Sequence, residues 1–212
     1  MTALIIGATG ATGNDLVQLL LNDPAYSRIV VFVRRPTGII DHKLFEVLTD
    51  FYKVEDVAEF IKGDIWFSCL GTTRKAAGSR NSQWQIDYEI PVKFAQIARR
   101  NGVSTAVLLS AYGASSASNV FYSKMKGELE ERIDALKFNR YIIFRPGLLE
   151  RKHSDRTGER LFTILLKIMN TLGIARRFCP LPTMTLATKL LKAPKVLSGG
   201  RHVIELEKIF TF

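Results

Sequence analysis

The chain has 212 residues, 47% of them hydrophobic and 24% charged, with two cysteines and a net charge of +10. These values fit one globular domain with a large core. They exclude a disordered chain, a disulfide scaffold and, since no apolar run reaches bilayer length, a membrane-spanning protein.

The first strand pattern, Ala3–Ile6, runs into glycines at 7, 10 and 13, and an amphipathic helix pattern over 12–21 follows at once (Leu16, Val17, Leu20, Leu21). Strand, glycine turn and helix form the context in which such a motif binds a dinucleotide. Gly7 permits the turn, Gly10 lets backbone approach an anion, and Gly13 lets the helix lie close on the strand. With Thr9, Ala11 and Thr12 between them, these residues make the candidate phosphate cradle, at the positive end of the helix. Strand patterns then recur at Ile29–Val33, Leu44–Leu48, Ile65–Leu70, Thr105–Ser110 and Tyr141–Phe144. Helical patterns lie near 54–62, 83–101 and 120–137. Repeated βα units predict a doubly wound parallel α/β sheet of Rossmann type, in strand order 3-2-1-4-5-6, with a seventh strand a candidate at His202–Leu206.

The loops after the strands carry the cofactor expectations. Val33 is followed by Arg34 and Arg35 where an NAD enzyme usually has an acid, so NADP(H) is preferred and NAD(H) second. Asp50 and Phe51 are placed to meet the adenine. Cys69, Leu70, Gly71 and Thr72 close the fourth strand where backbone would pass the ribose and pyrophosphate. The chemistry is expected from Ser110, Tyr122 and Lys126. Tyr122 and Lys126 are four apart, so they share a helix face. A phenol is a poor acid–base group at neutral pH, and a neighbouring ammonium improves it by favouring the phenolate. Ser110 is expected to hydrogen-bond the substrate carbonyl oxygen.

After Pro146 the alternation stops. Gly158 to Phe178 is amphipathic (Leu161, Phe162, Leu165, Leu166, Met169, Leu172), and Thr183 reads as an N-cap for a helix to Lys192. We read the chain as a single domain over 1–212, with residues 151–195 as a small helical cap on the substrate side. Charge concentrates there: residues 1–150 hold 18 Lys/Arg against 16 Asp/Glu, and residues 151–212 hold 12 against 4. Arg156, Arg160, Arg176 and Arg177 could steer an anionic substrate. The same field leaves peripheral contact with an acidic membrane open, or faces only solvent. Nucleic acid is not expected, since no reading motif accompanies the charge. His42, His153 and His202 are scattered, so no metal site is expected. Cys69 and Cys179 make no framework, and the strand-length start lacks a basic leader; both point to a cytoplasmic setting. Nothing indicates the oligomeric state.

These motifs carry a family resemblance. The chain resembles the atypical short-chain dehydrogenases/reductases and, within them, the oxidoreductase family of the Tat-interactive protein (metastasis suppressor CC-three). The matching segments are Cys69-Leu70-Gly71-Thr72-Thr73-Arg74, Ser118-Asn119 with Phe121-Tyr122, Lys126-Gly127-Glu128, Leu136 to Tyr141, and Phe144-Arg145-Pro146-Gly147. The resemblance implies catalytic roles for Ser110, Tyr122 and Lys126, and places Pro146, Gly147 and Leu148 beside the nicotinamide. It implies NADPH binding and, for some relatives, regulation through protein partners. The family's Ser-Ser-Lys-Gly-Ala is replaced after Ser110 by Ala111-Tyr112. The expected function is an NADP-dependent reductase acting on a small carbonyl substrate. The alternatives are a non-catalytic NADP-binding redox sensor or regulator, a nucleotide-sugar epimerase or dehydratase, and a flavin-type reductase.

Overall fold

Strands whose apolar residues run without a break must be covered on both faces, and the inner strands of this sheet are. The computed structural model describes residues 1–150 and 180–212. Its main sheet comprises β1 (Thr2–Ile6), β2 (Arg28–Val33), β3 (Leu44–Leu48), β4 (Ile65–Ser68), β5 (Thr105–Leu109), β6 (Arg140–Arg145) and β9 (Gly200–Glu205). The order is β3-β2-β1-β4-β5-β6-β9, and every pairing is parallel. This is the Rossmann order expected, with the seventh strand added beyond β6. A two-stranded piece joins β7 (Leu149–Glu150) to β8 (Leu181–Pro182).

Alternate residues of each strand feed different cores. Ala3 and Ile5 of β1, with Val31 of β2, pack beneath α1 (Ala11–Leu21) and α6 (Thr183–Val196). Leu4, Ile6 and Phe32 pack on the other side with Trp66 and Phe94, under α4 (Ile90–Arg100) and α5 (Phe121–Asp134). Phe94 meets Phe32 edge-on at 4.8 Å and stacks on Trp66 at 5.7 Å. The chain steps from β1 out to β3 and returns to β4 on the other side of β1. Loops at the ends of β1 and β4 therefore diverge, which opens the crevice where such folds bind ligands.

Some boundaries differ from expectation. The helix expected over 54–62 is a 3-10 stretch, Phe51–Phe60, broken at Lys53 (φ −124°, ψ 49°). Two short helices, α2 (Arg74–Ala77) and α3 (Arg80–Trp84), precede a π turn at Gln85–Glu89 that leads into α4. Thr183 does not cap its helix. Pro182 is the N-cap residue, and the Thr183 hydroxyl donates to Asp15 Oδ2 at 2.7 Å, tying α6 to α1. A last helix, α7 (Glu207–Thr211), follows β9. The helical C-terminal piece is thus present. Its described part, α6, is the crossover helix leading into β9, and none of its residues lines the cleft described below. The amphipathic stretch expected over 158–178, with its arginines, lies outside the described residues.

Candidate active site

The glycine turn packs as its spacing requires. Gly7 has φ +82°, and a Cβ there would meet the Cys69–Leu70 backbone closer than 3.0 Å. A Cβ on Gly13 would come equally close to the Gly7 carbonyl. These contacts seat α1 against the ends of β1 and β4. Gly10 is the N-cap of α1 and, having no side chain, bonds none of the helix's first N–H groups itself. A Cβ at Gly10 would touch only the Gly7 oxygen, at 3.3 Å, so its outer side is open. Unsatisfied donors and a missing side chain are what a pyrophosphate needs.

In front of this turn is a cleft of about 900 Å³. Gly10, Ala11 and Thr12 line one end, Cys69 to Arg74 one wall, and Ser110 with Asn119 to Tyr122, Lys126 and Leu149 the other. Tyr122 and Lys126 stand one turn apart on α5. Tyr122 is 38% exposed, whereas Lys126 is 2% exposed, with Nζ 5.8 Å from the Tyr122 ring centre.

Two buried carboxylates stand behind this pair. Asp87, on the π turn, accepts from Thr72 N at 2.7 Å, and its Oδ2 has no hydrogen-bond partner. Burial raises its carboxyl above its ordinary value, opposed by the Lys126 ammonium, the Thr72 N–H and the Gln83 side chain. Glu130, 2% exposed, lies one turn beyond Lys126. Its Oε1 accepts from Ser110 Oγ at 2.5 Å. Arg145 grips the same carboxylate through Nε at 3.0 Å and Nη2 at 2.6 Å. Ionised, Glu130 can only accept, so the single Ser110 proton is committed to it. Ser110 therefore faces the cleft as an acceptor, and the donor role expected toward a carbonyl oxygen does not fit this geometry.

The cleft thus brings together ten of the residues singled out from sequence: Gly10, Ala11, Thr12, Cys69, Leu70, Gly71, Thr72, Ser110, Tyr122 and Lys126. Burial pushes the Cys69 thiol up to about 12, which keeps it protonated. Gly7 and Gly13 shape the turn from behind, and Thr9 is exposed beside it. Arg34 and Arg35 are exposed at the end of β2, outside the cleft lining. Asp50 uses its carboxylate to accept from Tyr52 N at 3.0 Å. Phe51, only 9% exposed, packs into the core, so its ring is not offered to an adenine. The Pro146 and Leu148 carbonyls hold Tyr112 N and Leu181 N, both at 2.9 Å, and Gly147 lies against Leu206; Leu149 lines the cleft in their place. Sequence reading missed Asp87, Glu130 and Arg80, and quoted Arg74 only as part of a matching segment, with no role. The available signals were Glu130 continuing the Tyr122–Lys126 spacing, and the capping residues Thr73 and Ser79 ahead of the two arginines. Among the described residues, no three His, Cys, Asp or Glu are grouped to hold a metal ion.

Residues 7–167 match the NAD(P)H-binding family. Rat Protein HTATIP2 is 35% identical over 165 residues, which is 76% of this chain and 68% of that protein. The chain belongs to this NAD(P)H-binding family. The mitochondrial protein FMP52 of Saccharomyces cerevisiae is 36% identical over 163 residues, covering 74% of this chain and 71% of its own. A solved short-chain dehydrogenase/reductase superfamily protein from Agrobacterium tumefaciens with bound NAD shares the fold. Its TM-score is 0.74 at 15% identity, over 97% of this chain and 77% of that one. The family membership agrees with the short-chain dehydrogenase/reductase resemblance read from the motifs. The cytoplasmic expectation is overturned, because fungal relatives are named as mitochondrial proteins. Cys69, free among the described residues, does not separate the cytoplasm from a reducing organelle interior.

Proposed function

We propose that this protein is an NADP-dependent oxidoreductase that interconverts a small carbonyl compound and its alcohol, with Tyr122 as the general acid/base. The observation that carries the reading is the convergence of Tyr122, Lys126 and Ser110 on the cleft that begins at the open turn of α1. The N–H groups of Ala11 and Thr12 would hold a pyrophosphate, and Arg34 with Arg35 a ribose 2′-phosphate. A bound nicotinamide dinucleotide supplies or accepts the hydride. Tyr122 gives its phenolic proton to the carbonyl oxygen during reduction and takes a proton back during oxidation. Lys126, one helical turn on, stands where it can hold a ribose hydroxyl. Ser110, its own proton held by Glu130, accepts a hydrogen bond from the phenol or from the substrate alcohol. The family membership supports the cofactor class. The names of the fungal relatives support a mitochondrial setting.

Tyr122→Phe keeps the ring and removes the acid. Assayed with NADPH and a panel of aldehydes and ketones, it should lose about a hundredfold or more in rate while NADPH binding is retained. Full activity in the variant would assign the proton to another group. A wild-type chain that binds NADPH and reduces nothing would favour the redox-sensing alternative.

A further inference from the structure

Resting on the oxidoreductase reading of the cleft, we propose that Arg80, assisted by Arg74, docks an anionic group of the substrate, a carboxylate or a phosphate, beside Tyr122. The described residues lining the cleft include three cations, Arg74, Arg80 and Lys126, and no Asp or Glu. Lys126 is buried, with Asp87 nearby to answer its charge. Arg74 and Arg80 are exposed and form no ion pair among the described residues.

Both arginines stand at the first position of a short helix. Thr73 caps α2 by accepting from Ala76 N, and Ser79 caps α3 by accepting from Ser82 N. A cation at that end gains nothing from the helix dipole, so local helix stability does not account for either residue. Arg80 is also held toward the chemistry. Its guanidinium carbon lies 5.5 Å from the ring centre of Phe121, the residue before Tyr122. Phe121 is backed by Trp84, at 6.3 Å. An arginine resting on an aromatic face keeps its N–H fork free for a planar anion.

Position separates Arg80 from the groups that would serve a cofactor, whereas Arg74 follows directly on the Cys69–Thr72 wall. Arg34 and Arg35 end β2, on the far side of β1 from β4 and β5. The α1 turn lies at β1 itself. Arg80 sits beyond β4, against the start of α5, at the end of the cleft where Tyr122 would meet substrate. Val120 and Phe121 add apolar surface there. The substrate class that fits is a carbonyl compound whose apolar body carries an anion about one ring's width from the reacting carbon.

Two arms test this on the full chain with NADPH. In the first, calorimetry measures benzoate, phenyl phosphate and neutral benzamide binding to the protein–NADPH complex. One of the two anions should bind about tenfold or more tightly than benzamide, and whichever it is names the anion as carboxylate or phosphate. In the second, kcat/KM for 4-carboxybenzaldehyde should exceed that for 4-carbamoylbenzaldehyde by a similar factor. The double variant Arg74→Gln/Arg80→Gln should bring the anion preference near one, while Lys75→Gln, an equal loss of charge per site outside the cleft lining, should keep it. Neutral and anionic probes binding alike would overturn the proposal. So would a preference that survives the double variant, or one that Lys75→Gln also abolishes. If benzoate or phenyl phosphate binds through the arginines and no aldehyde is reduced, the docking point stands and the oxidoreductase reading fails. Equal turnover of both aldehydes, with no anion preference in binding, leaves the reverse.

Discussion

One face of α5 carries Tyr122, Lys126 and Glu130 at successive intervals of four, so the acid/base, its cation and a buried carboxylate are set by one helical register. Glu130 ties that register to two strands, through Ser110 after β5 and Arg145 at the end of β6. Arg145 also reaches Glu205 Oε2 at 3.5 Å, and Arg201 approaches Glu130 Oε2 at 4.0 Å. With Glu130 2% exposed, little solvent is available to replace a lost partner. Glu130→Gln would turn an amide N–H₂ toward a guanidinium, donor against donor, and leave the Arg145 charge poorly answered. Breaking such a pair from one side costs about 3 kcal/mol, on the order of 5–10 °C in melting temperature for a chain of this size. Ser110→Ala removes one hydrogen bond to the carboxylate and leaves the ion pair in place, so its cost should be smaller, about 1.5 kcal/mol. Thermal and denaturant melts of both variants check the order. If Glu130→Gln melts within a degree of the parent, the pair is solvated and does not anchor Ser110.

Helix α5 also shows how an element can depend on a residue that disfavours it. Gly127 is mid-helix, where Ala would ordinarily stabilise by about 1 kcal/mol. Here a Cβ would fall closer than 3.0 Å to the backbone of Ser115 and Ser116. Gly127→Ala should therefore destabilise despite the better propensity, by about 1–3 kcal/mol. It should also loosen the 115–120 segment that lines the cleft, read as faster amide exchange there; a gain in stability would show that the loop yields freely. Sequence alone shows Gly127 as a motif match and not this contact, and the same division runs through the fold. The strand patterns of β2 and β6 were legible within a residue or so, because a doubly covered parallel strand needs an unbroken apolar run. β4 was read two residues too long: Cys69 and Leu70 are apolar enough, but the Gly7 turn packs on their backbone and leads the chain out of the ladder. α2 and α3 are too short for periodicity and are announced only by Thr73 and Ser79. β9 was expected at His202–Leu206 and begins at Gly200, because its first two residues are exposed and carry no apolar signal. In the site, spacing revealed Tyr122 and Lys126. It could not reveal Asp87, whose meaning depends on a π turn that aims it toward Lys126.

Over the whole molecule, the sheet order separates charge along the crevice, and this makes cofactor choice testable as electrostatics. Arg34 and Arg35 leave β2 beside the end of β1, exposed, at the place where an acid would select NAD. Asp50, the nearest candidate acid after β3, is occupied as a cap. NADPH should therefore bind about tenfold to a hundredfold more tightly than NADH at low ionic strength, the range for a charge-assisted phosphate contact. Because both guanidinium groups are exposed, the preference should shrink as salt rises and the Debye length shortens from about 30 Å at 0.01 M to about 8 Å at 0.15 M. The net charge of +10 acts on both cofactors, whereas the ratio between them isolates the 2′-phosphate contact. Arg34→Gln/Arg35→Gln should bring that ratio toward one. Titration calorimetry with both cofactors at two salt concentrations reads all of this. Equal affinities in the parent chain, or a ratio untouched by the double variant, would assign the two arginines to the solvated surface and leave the cofactor's second phosphate without a partner at β2.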